Sequence, residues 1–78
     1  MSQRKPDPDF VAAEVRAEMG RQGRTNSWLA AQLGVSEMWV GRRLHMIRKT
    51  DISEDDLDRI AEALGVPVAT FLPAEVTS

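Results

Sequence analysis

The sequence predicts an all-α fold, a compact bundle of five short helices. Apolar residues recur at three- and four-residue spacing in each predicted helix, and no segment alternates apolar and polar residues as a strand does. Glycine or proline follows most of these segments, as expected where helices end. With 78 residues, the chain is long enough for one small domain with a single hydrophobic core.

The first two helices are predicted over Pro8–Gln22 and Asn26–Leu33. Asp7 and Thr25 precede them, and their short polar side chains can cap the first turn. Gly34 follows the second helix, where glycine takes the left-handed conformation that ends a helix at low steric cost. The predicted core positions of both helices are Val11, Val15, Met19, Leu29, Ala30 and Leu33.

Three more helices complete the predicted bundle. Helix 3 is predicted over Glu37–His45 after the cap Ser36, helix 4 opens after Ser53 and closes at Gly65, and a fifth helix spans Pro67–Leu72. Their predicted core positions are Val40, Leu44, Leu57, Ile60, Ala61, Leu64, Val68, Phe71 and Leu72. We therefore expect a disordered arm over 1–7, the domain over 8–72 and a flexible tail over 73–78.

Composition excludes several classes of protein. The absence of cysteine excludes a disulfide framework and a thiolate metal site. No apolar run approaches the roughly 20 residues that span a bilayer, and the first residues lack the apolar run of a secretory signal. His45 is the only histidine, and the serines are explained as caps or first-turn residues. We expect a cytoplasmic protein with no membrane contact, enzymatic activity, cofactor or small-molecule ligand.

One acidic pattern could suggest a calcium-binding loop. Asp51, Ser53, Asp55 and Glu62 stand at the positions 1, 3, 5 and 12 that hold calcium in such loops. Position 6, where the sharp turn requires glycine, is Asp56, and helical apolar spacing runs through the whole segment. We predict no metal site, and interpret these acids as stabilising the start of helix 4.

Charge is distributed unevenly along a chain whose net charge is -2. Between residues 21 and 49, Glu37 is the only acid among several arginines and a lysine, whereas from residue 51 onward Arg59 is the only base. This asymmetry predicts a positive face that can meet phosphate and an acidic end that points to solvent. The alternative is two solvated faces without a function.

The segment from Thr25 to Leu44 has the pattern of a helix-turn-helix. Ala30 is small enough for two helices to cross closely, Gly34 makes the turn, and Val40 packs the second helix onto the first. Such a unit places its second helix in the major groove of DNA. The sequence therefore predicts binding to duplex DNA.

Three residues of helix 3 are predicted to read bases. If Val40 and Leu44 point inward, Arg42 and Met38 lie on the opposite side at about 100° per residue. Arg42 can bond bidentately to guanine, and Met38 can contact a thymine methyl group. Glu37 could accept from a cytosine amino group, or it simply complements the helix dipole.

The flanks of this face are predicted to contact the DNA backbone. Asn26 and Ser27 begin helix 2, whose outward N–H groups can hold a phosphate, although both are also ordinary first-turn residues. Trp39 either stacks on DNA sugars or packs in the core, and packing is the favoured interpretation for Trp28. Arg43 either contacts phosphate or lies along the flank. The predicted flank residues are Arg24, Asn26, Ser27, Trp39, Arg43, His45, Arg48 and Lys49.

The sequence resembles the lambda Cro/repressor-type helix-turn-helix family, over about residues 10–72. The residues that carry the resemblance are Leu29-Ala30, Leu33-Gly34-Val35-Ser36, Val40, Leu57, Ile60-Ala61, Ala63-Leu64-Gly65-Val66 and Phe71-Leu72. The resemblance implies a five-helix DNA-binding domain, with bases read by Glu37, Met38 and Arg42 and a phosphate held by Asn26. Two departures are Arg43, at a position that is usually apolar, and the absence of the usual glycine after helix 3.

We therefore expect a sequence-specific regulator of transcription that binds double-stranded DNA, similar to a small Cro-like phage repressor that acts by occluding an operator. One domain makes few base contacts, so we expect a homodimer at least on DNA. The dimer surface would be Val68, Phe71, Leu72 and Val76, unless Phe71 and Leu72 pack within the monomer. The alternative function is a protein-binding helix-turn-helix module, such as an antitoxin or anti-regulator, with Trp28, Trp39, Phe71 and Leu72 as anchors.

Overall fold

A computed structural model describes residues 8–45 and 51–73 of the protein. This part of the chain is helical and contains no strand, which confirms the all-α prediction. The elements are α1 (Pro8–Gln22), α2 (Asn26–Leu33), α3 (Glu37–Leu44), α4 (Glu54–Leu64) and a 3₁₀ helix (Val68–Phe71). The predicted arm, residues 74–78 of the predicted tail, and residues 46–50 lie outside the described residues.

The predicted fifth helix is a 3₁₀ helix rather than an α-helix, so the described part of the chain has four α-helices. Over Val68–Phe71 the backbone N–H groups donate to the carbonyl three residues earlier, as in a 3₁₀ helix. Thr70 N donates to the Pro67 carbonyl at 3.0 Å, and Leu72 N donates to the Ala69 carbonyl at 3.1 Å. A segment this short between two prolines cannot build several α-helical hydrogen bonds, so the tighter 3₁₀ turn is favoured. The other helices match their predicted bounds, except that α3 ends one residue earlier.

The core lies where α1, α2, α3, α4 and the 3₁₀ helix meet, with α1 packed on α3 and α2 packed on both α3 and α4. Phe71 is fully buried against α1 and α4, although it belongs to the shortest element. No polar or charged residue is buried among those described. The buried side chains are Val11, Ala12, Val15, Met19, Leu29, Ala30, Leu33, Val40, Leu44, Leu57, Ile60, Ala61, Leu64 and Phe71.

Short polar residues cap the starts of α2, α3 and α4, as predicted. The side chains of Thr25, Ser36 and Ser53 each accept a hydrogen bond from the backbone N–H three residues later, at 3.0–3.1 Å. Each cap satisfies one of the N–H groups that a helix leaves unpaired in its first turn. The predicted N-cap Asp7 of α1 lies outside the described residues.

Gly34 forms the corner between α2 and α3. Its φ of 71° lies in the left-handed region, and the next residue closes the helix with a hydrogen bond from Val35 N to the Ala30 carbonyl at 3.0 Å. A side chain at this φ would be strained, so glycine is required by the backbone conformation. The corner predicted from the sequence is confirmed.

The last carbonyls of α2, α3 and α4 accept hydrogen bonds from side chains of other helices. Such carbonyls have no partner within their own helix, so these long-range bonds satisfy them and tie the helices together. Arg59 donates to the Leu33 carbonyl, Arg16 to the Leu44 carbonyl, and Gln22 to the Leu64 carbonyl. The orientation of the helix-turn-helix therefore depends on α1 and α4.

Two further predictions concern features outside the core. Asp55 and Glu62 both lie inside the continuous helix α4, as expected if the acidic segment is the start of a helix. Within residues 8–45 and 51–73, no three acids, histidines or cysteines are grouped as metal ligands. In the same ranges, each helix is too short or too polar to cross a membrane.

Candidate nucleic-acid interface

The outward side of α3 carries Met38 and Arg42, and Glu37, the third residue predicted to read bases, is exposed at the start of the helix. Val40 and Leu44 point into the core, with 0% and 1% of their surface exposed. Met38 and Arg42 lie two residues before and after Val40, which places them on the opposite side of the helix. Met38 is 62% exposed, and Glu37 and Arg42 are exposed as well. We call Glu37, Met38 and Arg42 the reading face.

No described residue forms a hydrogen bond or ion pair with the side chains of the reading face. α3 is nevertheless fixed on its inner side by Val40 and Leu44, and at its start by the Ser36 cap. A rigid helix with unoccupied side chains on its outer face can present them to a ligand without first breaking internal contacts. The side chains of the reading face are therefore available to a ligand without rearrangement of the helix.

Arg43 and Trp39 form one flank of the reading face. The Arg43 guanidinium lies 3.9 Å from the centre of the Trp39 ring, and its Nη1 donates to the Trp39 carbonyl at 3.3 Å. Its Nε is buried without a hydrogen-bond partner among the described residues. Trp39 is half-buried and packs against the core. Arg43 is thus a positive charge folded onto the side of α3, rather than an extended side chain.

The start of α2 presents several hydrogen-bond donors. Thr25 accepts from the N–H of Trp28, which leaves the N–H groups of Asn26 and Ser27 without an acceptor among the described residues. The Arg24 guanidinium lies 4.2 Å from the centre of the half-buried Trp28 ring. We call Arg24, Asn26 and Ser27 the donor corner. Backbone N–H groups at the positive end of a helix, next to a guanidinium, suit a phosphate.

A side-chain hydrogen bond joins the donor corner to α3. Oδ1 of Asn26 lies 3.1 Å from Nε2 of His45, the residue that follows the last turn of α3. An amide oxygen can only accept, so Nε2 donates in this contact. The amide group of Asn26 therefore keeps its N–H donors for another partner. The sequence assigned both residues to the DNA flank, but nothing in it indicated that they touch.

The two ends of α2 differ in charge. The donor corner lies at its N-terminal end, where Arg24 is the nearest charged side chain in sequence. Its C-terminal end contacts α4 through Arg59, and α4 exposes acids. The exposed acids of α4 are Glu54, Asp55, Asp58 and Glu62. A polyanion is therefore attracted to one side of the domain and repelled from the other.

The remaining predicted DNA-binding and dimer residues lie either in or against the core, or outside the described residues. Arg48 and Lys49 lie outside the described residues. Phe71 is fully buried and cannot contribute to a dimer surface, because its side chain already fills the core. Val68 and Leu72 are half-buried and also pack against the core, so the proposed dimer surface loses its main anchors. Val76, the fourth residue of that surface, lies outside the described residues.

The stacking of arginines on tryptophans, and the hydrogen bonds from arginines to the last carbonyls of helices, were not predicted from the sequence. Arg24 and Trp28, and likewise Trp39 and Arg43, are four residues apart, the spacing at which helical side chains meet. That signal was present in the sequence. Arg16 lies 28 residues from the Leu44 carbonyl to which it donates, and no local pattern indicates such a contact.

The chain is similar to a solved structure of another protein. The crystal structure of the hypothetical transcription factor NHTF from Neisseria superposes on this chain with a TM-score of 0.74 and 22% sequence identity. The match covers 96% of this chain and 90% of that one. No protein-family profile and no curated protein matches, so the resemblance to the lambda Cro/repressor family stays a prediction. At this identity, the likeness shows that the two proteins share a fold.

Proposed function

We propose that the protein regulates transcription by binding double-stranded DNA at a specific sequence, with α3 in the major groove. The observation that carries this proposal is the reading face. Met38 and Arg42 point outward from a helix whose inner side is locked in the core, and no described residue pairs with them. The likeness to a protein described as a hypothetical transcription factor supports the same function.

Sequence would be read by the reading face. Arg42 has the guanidinium that bonds bidentately to O6 and N7 of guanine, and Met38 offers an apolar contact to a thymine methyl group. Glu37, in the first turn of α3, can accept from a cytosine amino group or complement the positive end of the helix. Glycine at position 41 lets α3 come close to the groove, because no side chain projects there.

Position on the duplex would be fixed by phosphate contacts on both sides of the reading face. The donor corner supplies two backbone N–H groups and the Arg24 guanidinium. Arg43 adds a positive charge on the opposite flank. His45, Arg48 and Lys49 extend the donor set after α3 in the sequence. These contacts give affinity for any duplex, whereas the reading face gives preference for one.

The biological action that fits best is repression by occlusion of an operator, in the manner of a small Cro-like regulator in a bacterial cytoplasm. One reading face contacts few base pairs, so two copies would bind half-sites about one helical turn, roughly 34 Å, apart. The proposed role is binding without catalysis or cofactor. The rival role, a protein-binding module, is weakened because its anchors Trp28, Trp39 and Leu72 are half-buried and Phe71 is buried.

Selection of bound fragments from random duplex DNA tests this function. We expect one enriched sequence, and a palindrome with half-sites one turn apart if two copies bind. Binding through about six phosphates should give a log–log salt slope near −5. Enrichment of no sequence would overturn the proposal. Tight binding to a protein partner with an almost flat salt dependence would favour the interaction module instead.

A further inference from the structure

We propose that Arg16 is a positioning residue that fixes the last turn of α3, and with it Arg42, for reading DNA. Arg16 lies on α1, and its Nη1 donates to the carbonyl of Leu44, the last residue of α3. The side chain acts on α3 from the core side rather than from the reading face. This inference rests on the proposed function, because its main consequence is measured on DNA.

α3 ends differently from the other three described α-helices. Gly23, Gly34 and Gly65 follow those helices with φ values of 69°, 71° and 73°, the left-handed conformation that closes a helix end. His45 follows α3 with φ −125° and ψ −14°, and its N–H donates to the Gly41 carbonyl at 2.9 Å. His45 therefore does not provide the left-handed closure that the glycines provide after the other helices.

Arg16 supplies from α1 a hydrogen bond to the last carbonyl of α3 that His45, the one described residue directly after this helix, does not make. The last carbonyls of a helix have no partner within the helix, and a guanidinium both donates to one of them and complements the negative end of the dipole. The contact joins residues 28 apart in sequence, so the end of α3 follows the position of α1. α1 packs on α3 through apolar side chains, and that packing does not require Arg16.

The consequence falls on one end of the reading face. Arg42 lies in the last turn of α3, two residues before Leu44, where loss of the Arg16 bond allows the helix to fray. Met38 lies in the first turn, which the Ser36 cap holds independently. Loss of Arg16 should therefore weaken discrimination at the base pair that Arg42 reads, and spare the one that Met38 contacts.

Arg59 provides a matched control within the chain. It makes the same kind of bond from α4 to the Leu33 carbonyl, the last residue of α2, and it also lies 3.7 Å from Asp56. α2 has its own closure at Gly34, so its last turn does not depend on Arg59 alone. Replacing Arg59 should affect DNA discrimination much less than replacing Arg16.

The experiment compares Arg16→Met and Arg59→Met with the wild-type protein. Affinities are measured for the duplex that the wild-type protein selects and for its single-base variants, at a temperature where every protein is folded. We expect Arg16→Met to lose about 3- to 10-fold discrimination at the base pair read by Arg42, the size of one hydrogen bond, and Arg59→Met to stay within about twofold of wild type. Amides at the end of α3 should exchange faster in Arg16→Met alone.

Arg16→Lys keeps a charged donor on α1, and should recover part of the discrimination; it also serves as the milder variant if Arg16→Met does not fold. Unchanged discrimination in folded Arg16→Met would overturn the proposal, as would an equal loss at every base pair. If the wild-type protein selects no duplex, the proposed function fails and the positioning role fails with it. In that case, faster amide exchange at the end of α3 in Arg16→Met would still show that Arg16 stabilises this helix end.

Discussion

α3 and α4 are built alike where they face the core, and differ where they face solvent. Each begins after a serine cap and buries an apolar stripe, with Val40 and Leu44 in α3. The stripe of α4 comprises Leu57, Ile60, Ala61 and Leu64. Outward, α3 exposes Met38 and Arg42, whereas α4 exposes acids. The inner faces therefore determine the fold, and under the proposed function the outer face of α3 determines the partner.

The largest effect should come from the inner faces, and should be similar in both helices. Leu44 and Leu57 are 1% and 6% exposed, and replacing either with alanine leaves a cavity in the same core. We expect Leu44→Ala and Leu57→Ala each to lower the free energy of unfolding by about 2–5 kcal/mol. Thermal or urea denaturation measures this loss. A large loss in one variant only would show that the two inner faces are not equivalent.

The next largest effect should separate the two outer faces. Arg42→Ala should cost about 1–3 kcal/mol of binding free energy at one base pair of the selected duplex, and leave thermal stability nearly unchanged, because no described residue pairs with this side chain. Asp58→Ala, on the outer face of α4, should cost no affinity.

A third variant controls for charge in the Arg42 experiment. Arg21 is an exposed arginine of α1 that pairs with Glu18 at 2.6 Å. Arg21→Ala removes the same charge, and should leave the base preference intact. If Arg42→Ala kept every preference of the wild-type protein, Arg42 would not be the residue that reads a base.

Much of this architecture could be predicted from the sequence, because its signals are local. Gly34 and the caps Thr25, Ser36 and Ser53 act within one turn, so their neighbours in sequence are enough to identify them. The inward direction of Val40 and Leu44 follows from helical spacing, and it determines which side chains of α3 point outward. The outward side chains of α3 can therefore be predicted from local sequence as well.

The remainder depends on contacts between distant parts of the chain. Arg16 and Arg59 look like ordinary exposed helix residues in the sequence, and only the packed structure brings them to the carbonyls of Leu44 and Leu33. The contact between Asn26 and His45 likewise joins two helix ends that are 19 residues apart. The type of the fifth helix could not be predicted for a different reason, since apolar spacing alone does not distinguish an α-helix from a single 3₁₀ turn.

The serine caps of α3 and α4 should contribute equally to stability, and less than the core residues do. Ser36 accepts from Trp39 N at 3.0 Å, and Ser53 accepts from Asp56 N at 3.1 Å. Ser36→Ala and Ser53→Ala should each lower the free energy of unfolding by about 1 kcal/mol. Only Ser36→Ala should also weaken binding to the selected duplex, because it loosens the turn that carries Met38. Equal binding losses in both variants would mean that stability, rather than the reading face, limits DNA binding.

The smallest effect is expected at Gly41 of α3, where one substitution should raise stability and weaken DNA binding. A Cβ at Gly41 would meet no atom within 4 Å, so Gly41→Ala fits without strain and should stabilise the helix by about 0.8–1 kcal/mol. The same methyl group would project beside the reading face, and should weaken binding to the selected duplex by keeping α3 further from the groove. Denaturation of Gly41→Ala measures its stability, and titration with the selected duplex measures its affinity. A protein that is more stable and binds equally well would show that Gly41 is only a tolerated glycine, whereas weaker binding by a more stable protein would show that the outer face of α3 is adapted to a partner at the expense of the fold.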